Sequence, residues 1–292
     1  MHSNTSKTVL VTGASRGIGL LTVKALAVKG HAVFAGMRDL NARNAGNAQA
    51  LLSWACDNEL DVRPLELDVT SQQSVSHAIA TVEEQVALDV IVNNAGSMPV
   101  GVGEGFTQEQ MQACFEVNTF GIARVHRAAL PYFRKRQQGL FINISSSAGR
   151  LAIPYFSIYC ASKWAMEAYC ESLHYELAPL GIESILVEPS GHATELVASA
   201  PGPADHQVEK SYGALAAGRE KLLGMFETLF EQGGHDTDAT NVAETIATLV
   251  TSKSPRPIRT QVGQDMGVGA INEATEPLQR QLVEMLKPVY AG

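Results

Sequence analysis

Cysteines, long apolar runs and excess positive charge are scarce in this sequence, and each shortage excludes a class of protein. The four cysteines, at positions 56, 114, 160 and 170, show no Cys-x-x-Cys pair and no zinc-like spacing. They indicate reduced thiols, and no metal site is expected. No uncharged apolar stretch reaches the roughly 18 residues that a membrane-spanning helix needs. The formal net charge of -8 argues against nucleic acid or an anionic membrane surface as the main partner.

The N-terminal segment Met1–Lys7 is polar and offers no apolar core of a signal peptide, so we expect a cytoplasmic protein. The chain does have 292 residues, 45% of them hydrophobic and 18% charged, which is enough for a sizeable core. No Pro/Ser-rich linker or shift in composition divides it. The sequence therefore predicts a single domain over residues 1–292.

Short apolar runs alternate with longer amphipathic stretches along most of the chain. The predicted strands are Thr8–Thr12, Ala32–Ala35, Val62–Leu67, Val90–Asn93, Leu140–Ile144, Glu183–Val187 and Ile258–Val262. We interpret them as apolar throughout, which is typical of strands covered by helices on both faces. The predicted helices are Gly17–Lys29, Asn44–Asn58, Ser71–Gln85, Gln108–Arg136, Ser157–Pro179 and Thr240–Ser252. This alternation predicts an α/β fold with a doubly wound parallel sheet of about seven strands.

One segment, residues 195–238, interrupts the alternation with several glycines and prolines around two short helical patterns. It follows the sixth predicted strand, so it should project beyond the carboxyl edge of the sheet, where ligands bind in this type of fold. We interpret it as a mobile, helical substrate lid; a surface insertion without a role in binding is the alternative. Residues 270–292 are a C-terminal extension.

The first predicted strand runs directly into a glycine-rich turn and then a helix. The turn reads Thr12-Gly13-Ala14-Ser15-Arg16-Gly17-Ile18-Gly19. Glycine allows a tight turn and a close backbone approach, and the amides at a helix start can receive a pyrophosphate. Because a strand precedes the turn and a helix follows it, the turn predicts a dinucleotide site.

The end of the second predicted strand distinguishes NADP from NAD. Many NAD enzymes place an acidic residue there for the ribose hydroxyls, whereas this sequence has Met37 followed by Arg38. Arg38 can pair with a 2′-phosphate, and Arg16 supplies a second positive charge nearby. Asp39 is the alternative ribose ligand if the register shifts by one residue, and both arginines could simply be solvated. The two cations favour NADP(H).

Tyr159 and Lys163 lie four residues apart at the start of a predicted helix, which places phenol and ammonium on one face. A free tyrosine, with a pKa of about 10, is a poor acid–base catalyst near neutral pH. A neighbouring ammonium stabilises the phenolate, so we expect Lys163 to lower the pKa of Tyr159. The spacing alone is common on amphipathic helices and carries little weight.

Polar side chains at neighbouring strand ends strengthen this interpretation. The fourth predicted strand ends in Asn93-Asn94-Ala95-Gly96, and the fifth continues as Asn143-Ile144-Ser145-Ser146-Ser147-Ala148-Gly149. Asn118 lies inside an otherwise mostly apolar helix. Amides and hydroxyls at one sheet edge suit an active site, whereas scattered ones more often cap turns.

Together these motifs resemble the short-chain dehydrogenase/reductase family. The set is TGASRGIG, Asp68-Val69, NNAG, Asn118, NISSSAG, YCASK and Glu188-Pro189-Ser190-Gly191, in order between about Thr8 and Thr194. Arg38 is similar to the NADP-preferring members. The run YCASKWAMEAYCESLHYEL and the long C-terminal extension resemble the steroid- and retinol-dehydrogenase-like branch. The resemblance implies a Rossmann fold, NADP(H) as cofactor, and a homodimer or homotetramer paired through the helices bearing Asn118 and Tyr159.

The resemblance also implies roles for individual residues. Tyr159 would be the general acid in reduction and the base in oxidation, and Lys163 would lower its pKa and hold the nicotinamide ribose. Ser146 would bond the substrate oxygen, with Ser145 and Ser147 as adjacent alternatives, and Asn118 would support a water in a proton relay. The implied cofactor contacts are Gly13, Ser15, Arg16, Gly17, Ile18, Gly19, Arg38, Asp68, Val69, Asn94, Ala95, Gly96, Tyr159, Lys163, Pro189 and Thr194. This chain has Pro189-Ser190-Gly191 where the family usually has Pro-Gly, which leaves the contacts of that loop open.

We therefore expect an NADP(H)-dependent oxidoreductase that transfers a hydride between nicotinamide and a carbonyl or secondary alcohol. The substrate should be fairly apolar (steroid-, retinoid- or ketone-like), and from their positions Met98, Pro99, Tyr155, Phe156 and the lid are expected to wall its pocket. His192 either faces the substrate or is an ordinary turn residue. Reduction of a 3-oxoacyl thioester is one alternative, although the acidic lid offers no basic docking surface. A non-catalytic NADP-sensing protein is another, although such proteins typically lose the tyrosine or the lysine.

Overall fold

The protein, described here by a computed structural model over residues 6–290, is built on one parallel sheet. Its seven strands follow the order β3-β2-β1-β4-β5-β6-β7, and all neighbours pair in parallel. The strands are β1 Thr8–Thr12, β2 Ala32–Met37, β3 Val62–Glu66, β4 Val90–Asn93, β5 Gly139–Ile144, β6 Ile182–Pro189 and β7 Arg259–Val262. This confirms the predicted doubly wound, Rossmann-type sheet. The strand order reverses between β1 and β4, so a crevice opens at their carboxyl ends.

Eleven α-helices connect or follow these strands in the described part of the chain. They are α1 Gly17–Val28, α2 Ala45–Asp57, α3 Gln72–Gln85, α4 Gln108–Phe115, α5 Gly121–Arg136, α6 Ser157–Leu177, α7 Glu195–Ala198, α8 His206–Ser211, α9 Gly218–Gln232, α10 Thr240–Thr251 and α11 Val268–Tyr290. Residues 1–5 of the predicted N-terminal segment and residues 291–292 of the C-terminal extension lie outside the described residues. None of the helices within 6–290 is long and apolar enough to cross a membrane.

The core has two layers because alternate residues of each central strand face opposite sides of the sheet. Val9 and Val11 pack with α1 and α10, whereas Leu10 packs with α3 and α5. All five residues of β1 are buried, as the uninterrupted apolar pattern predicted. The two edge strands depart from this apolar pattern. β3 exposes Arg63 and Glu66, and β7 has the sequence Arg-Thr-Gln-Val. An edge strand has one strand neighbour, so polar residues are tolerated there.

The helix predicted over Gln108–Arg136 is in fact interrupted, which corrects the sequence interpretation. A π-helical segment, Glu116–Phe120, separates α4 from α5. Within it the Asn118 amide binds Ser97 instead of facing solvent. At Gly121, a Cβ atom would lie 3.0 Å from the Val69 side chain, so the helix and the β3–α3 loop are in close contact. Such π segments are rare and often occur at functional sites.

Residues 195–238, the predicted lid, form α7, α8 and α9 with short 3-10 turns between them. Two side chains fasten this lid segment to the body. Arg219 Nε donates to Val100 O of the body at 3.0 Å, while Arg219 Nη2 donates within the lid segment to Ala200 O at 2.9 Å. The Tyr155 hydroxyl donates to Leu215 O at 3.0 Å. The lid segment therefore lies over the carboxyl edge of the sheet, and its mobility remains a prediction.

Candidate active site

The glycine turn after β1 presses against the end of β4. Gly13 and Gly17 have φ values of +65° and +56°, a conformation that favours glycine. A Cβ on Gly13 would lie 2.8 Å from Ala95 Cα, and one on Gly19 would lie 2.4 Å from both Asn94 Nδ2 and Gly13 O. The predicted residues Gly13, Gly19, Asn94 and Ala95 thus meet in one place. A close-packed glycine turn at a helix start is an arrangement that could hold a pyrophosphate.

Thr12 fastens this turn, and the sequence interpretation gave it no role. Its Oγ1 accepts from Asn94 N at 3.0 Å and from Ala95 N at 3.1 Å. The Asn94 side chain donates in return to Thr12 O at 2.9 Å and Gly13 O at 3.1 Å. The available signal was a threonine closing a strand whose centre is apolar, because a buried hydroxyl needs a partner.

The end of β2 places Arg38 at the surface beside the crevice. β2 ends at Met37, which is buried, and Arg38 follows as an exposed residue. Glu66 accepts from Asp39 N at 3.0 Å and Leu40 N at 2.7 Å, which fixes the loop after Arg38. The other predicted cation, Arg16, donates to Ser199 Oγ of the lid segment at 3.2 Å. Arg16, which the sequence suggested as a positive charge near the 2′-phosphate, therefore links the glycine turn to the lid segment.

Asp68 and Val69 follow β3 at the same edge of the sheet. Asp68 Oδ1 accepts from Thr70 N at 2.9 Å and Thr70 Oγ1 at 2.8 Å, so this oxygen caps its own loop. Val69 is buried against Gly121. Their proposed contacts with the adenine remain a prediction.

Tyr159 and Lys163 lie in the first turns of α6 and are both almost fully buried. Lys163 Nζ donates to Ile144 O at 2.7 Å and lies 5.9 Å from the centre of the Tyr159 ring. Burial raises the pKa of Tyr159 to about 12, with the Ser146 hydroxyl opposing the shift. Burial lowers the pKa of Lys163 to about 8. The expected lowering of the Tyr159 pKa is not seen in this structure: burial dominates and raises that pKa, and the lysine donates to a backbone carbonyl. The effect of Lys163 on the phenol stays a prediction.

The three serines after β5 have different surroundings. Ser146 Oγ accepts from Ala148 N at 3.2 Å and lies near Tyr159. Ser147 Oγ donates to Pro189 O at 3.4 Å, and Ser145 Oγ is buried beside Gly149. Of the three, Ser146 therefore has the best position to share a substrate oxygen with Tyr159.

Asn118 is fully buried and set back from the cavity. Its Oδ1 accepts from Ser97 N at 2.8 Å, and its Nδ2 donates to Ser97 O at 2.8 Å and Ser162 Oγ at 2.9 Å. These bonds tie the loop after β4 to α6. The structure thus places Asn118 behind the residues that line the site, and its role in a water relay remains a prediction.

One cavity joins the predicted cofactor and catalytic residues. Ile18, Asn94, Gly96, Ser146, Tyr159, Lys163, Pro189 and Thr194 line it, together with the apolar side chains Met98, Ile153, Phe156, Leu196, Val197 and Phe226. Met98 and Phe156 were expected there. Pro99 and Tyr155, which were also expected, are not among its lining residues. The Tyr155 hydroxyl binds Leu215 O of the lid segment instead. Phe226 on α9 belongs to the lid segment that was expected to wall the pocket, and its ring centre lies 5.9 Å from that of Phe156.

In the loop after β6, the displaced glycine, Gly191, lies in contact with α9. A Cβ on Gly191 would lie 3.2 Å from Phe226 Cε1 and 3.3 Å from Leu229 Cδ2, so α9 packs directly on this glycine. His192 also lines the cavity; it is buried, and burial lowers its pKa.

Within residues 6–290, no group of His, Cys, Asp and Glu side chains is placed to hold a metal ion.

Comparison with known proteins gives consistent results. The family model described as short chain dehydrogenase matches residues 7–203. A 3-ketodihydrosphingosine reductase of Bacteroides thetaiotaomicron is 33% identical over 257 residues, 87% of each chain. Human retinol dehydrogenase 8 is 39% identical over 192 residues, 65% of this chain and 60% of that protein. A short-chain dehydrogenase structure from Streptomyces avermitilis superposes with a TM-score of 0.75 at 29% identity and 99% coverage of both chains.

Proposed function

This chain belongs to the short-chain dehydrogenase family of nicotinamide-dependent oxidoreductases, and from that premise we propose an NADP(H)-dependent enzyme acting on an apolar carbonyl compound or secondary alcohol. The observation that carries the proposal is the convergence of Ser146, Tyr159 and Lys163 on one cavity. The glycine turn borders this cavity on one side, and an apolar wall borders it on the other. Binding and proton transfer are thus combined in one site.

The residues of the cavity divide the chemistry between them. When bound, the nicotinamide cofactor supplies or accepts the hydride. The turn after β1, with Asn94, Gly96 and Thr194, would hold it against the sheet edge. Ser146 would orient the substrate oxygen, and Tyr159, whose pKa is raised, would be held protonated to donate to that oxygen in reduction. In the reverse direction the same phenol oxygen would take the alcohol proton through the same contact.

Arg38 and the apolar wall support the finer parts of the proposal. An exposed arginine follows β2, and buried Met37 cannot accept bonds from ribose hydroxyls, so NADP(H) is favoured. Phe156, Phe226 and Met98 favour an apolar substrate. The names of two relatives refer to a ketodihydrosphingosine and to retinol, which are both large apolar compounds.

The test is NADPH oxidation by the purified protein with a panel of steroid, retinoid, aliphatic and aromatic carbonyl compounds. Tyr159→Phe should lower kcat by about 100-fold or more, because general acid catalysis typically contributes at least that much. Tyr132→Phe is the matched control, since Tyr132 lies on α5 and packs on the core away from the cavity, and the variant should retain turnover. Equal turnover by Tyr159→Phe and the parent protein would refute the proposed chemistry.

A further inference from the structure

A buried charge cluster lies behind the catalytic wall, formed by Glu167 and Glu171 of α6, Glu188 of β6 and Arg259 of β7. Arg259 Nε lies 3.1 Å from Glu167 Oε2 and 3.2 Å from Glu188 Oε1, and Arg259 Nη2 lies 2.7 Å from Glu171 Oε2. Glu188 is 0% exposed and Glu167 2%. Burying such a cluster costs free energy, so its position directly behind the catalytic wall calls for a role.

The buried charge cluster contains more negative than positive charge. Three carboxylates meet one guanidinium, and the nearby Arg150 donates instead to Asn272 Oδ1 at 2.9 Å and Thr275 Oγ1 at 2.8 Å on α11. Asn272 Nδ2 in turn donates to Glu188 Oε2 at 2.6 Å. Burial raises the pKa of Glu188 to about 7 and also raises that of Glu167. The negative charge of Glu167 also raises the pKa of Glu188, so full ionisation of both carboxylates is disfavoured.

Glu167 reaches from this cluster to the catalytic residues. It follows Lys163 by one helical turn, and its carboxylate raises the pKa of that lysine against the effect of burial. A Cβ on Gly149 would lie 3.2 Å from Glu167 Oε1 and 2.6 Å from Ser145 Oγ, so both oxygens border the turn that follows Ser146. The Ser145 hydroxyl also stabilises the charged form of Glu167 and so opposes the effect of burial on its pKa.

We propose that Glu167 is a positioning residue for this site: its carboxylate, oriented by Arg259, sets the electrostatic field at Lys163 and Tyr159 and supports the turn that carries Ser146. The proposal rests on the function proposed above. A negative charge behind Lys163 keeps the ammonium protonated at a pH where burial alone would neutralise it. The titratable and charged groups that face Glu167 are Lys163, Cys170 and Glu171 on α6, Arg150 after β5, Glu188 on β6 and Arg259 on β7.

The first test is the pH dependence of kcat/KM for carbonyl reduction. Removing a negative charge lowers the pKa of both Lys163 and Tyr159, so Glu167→Gln should move the high-pH loss of reduction to lower pH by about one unit. Glu167→Asp keeps the charge and should restore the profile. Glu171→Gln is the matched control: it breaks an ion pair with the same Arg259, one helical turn farther from Lys163, and should leave the profile in place. An unchanged profile in Glu167→Gln, or an equal shift in Glu171→Gln, overturns the positioning role.

A second measurement does not depend on turnover or on the stability of the Glu167 variants. Infrared spectroscopy of the intact protein should show a protonated carboxylic acid that titrates near neutral pH and is lost in Glu188→Gln. If the band persists in Glu188→Gln, the proton lies on Glu167, which would then carry no negative charge, and the positioning role is overturned. If no carbonyl compound is reduced but the band is present, the proposed function fails while the buried charge cluster stands.

Discussion

Lys163 shows how burial and function oppose each other in one side chain. Its ammonium lies in the protein interior, where burial lowers its pKa from 10.5 to about 8. Below pH 8 the lysine is charged in both the folded and the unfolded chain, so folding carries the full cost of burying the charge. That cost falls as the pH rises from about 8 towards 10.5, because the folded protein then holds the neutral amine. A charge retained at such a cost is typical of functional residues.

The Lys163→Met variant should therefore be more stable than the parent protein at pH 7. We expect its free energy of unfolding to be higher by about 2 kcal/mol, once the lost hydrogen bond to Ile144 O has been subtracted. The difference should shrink when both proteins are unfolded at pH 9.5, because the parent has then lost more than half of the penalty. Urea unfolding at the two pH values measures it. A methionine variant that is less stable at pH 7, or a gap that stays constant with pH, would contradict this account.

Arg38 is the residue on which the cofactor preference depends. Arg38→Ala should weaken NADPH binding by about 10-fold or more while leaving NADH binding nearly unchanged, because the side chain would meet the 2′-phosphate alone. Fluorescence titration with both cofactors measures the two affinities. Arg43, another exposed arginine of the loop after β2, provides the control variant Arg43→Ala. Tighter binding of NADH than NADPH by the parent protein would refute the preference.

Among the strands and helices, those with a strong local signal could be predicted from sequence. The apolar run of β1, the glycines of the turn and the helix pattern of α1 are all local signals. All three elements lie where they were predicted. The interruption at Glu116–Phe120 could not be predicted, because it depends on Asn118 meeting Ser97 and on Gly121 meeting Val69. Contacts between residues distant in sequence decide such details.

The same distinction applies to the site. Tyr159, Lys163 and Ser146 belong to local motifs and could be proposed from sequence. Phe226 lies on a helix far along the chain, so its contact with Phe156 has no local signal. The pKa of Tyr159 was predicted in the wrong direction, because spacing shows a neighbouring charge but not the extent of burial.

Helix α9 depends on the glycine at position 191. Gly191→Ala would place a Cβ within 3.3 Å of two α9 side chains, so the helix should move outward. We expect KM for apolar carbonyl compounds to rise several-fold, with a smaller change in kcat, because the apolar wall is loosened while Tyr159 stays in place. Steady-state kinetics over the substrate panel measure both constants.

Gly224→Ala is the matched control for that variant. Gly224 lies inside α9, and a Cβ there would meet nothing within 4 Å. It should stabilise the helix by up to about 1 kcal/mol and leave KM unchanged. A similar rise in KM in both variants would show that α9 responds to any substitution and not to its contact with Gly191.

The described residues expose large apolar side chains at several places, and two of these faces bear on pairing between molecules. Phe120 and Trp164, each 48% exposed, belong to the π segment and α6, which are joined by a bond from Thr119 Oγ1 to Ser162 O at 3.0 Å. The other face is a stripe along α11, with exposed Leu278, Leu282, Met285, Leu286 and Val289. Apolar patches of this kind often mark protein–protein contacts, so both faces are candidates for pairing between copies of the chain.

We expect a homodimer or homotetramer that pairs through the face bearing Phe120 and Trp164, because these residues flank the elements that carry Asn118 and Tyr159. Trp164→Glu places a charge in that contact and should shift the protein towards monomers in sedimentation velocity. Leu278→Glu, which adds the same charge to the α11 stripe, should leave the sedimentation coefficient unchanged. The opposite pair of results would place the interface on α11. A parent protein that sediments as a monomer at micromolar concentration would contradict pairing through either face. Both faces would then be ordinary exposed surface.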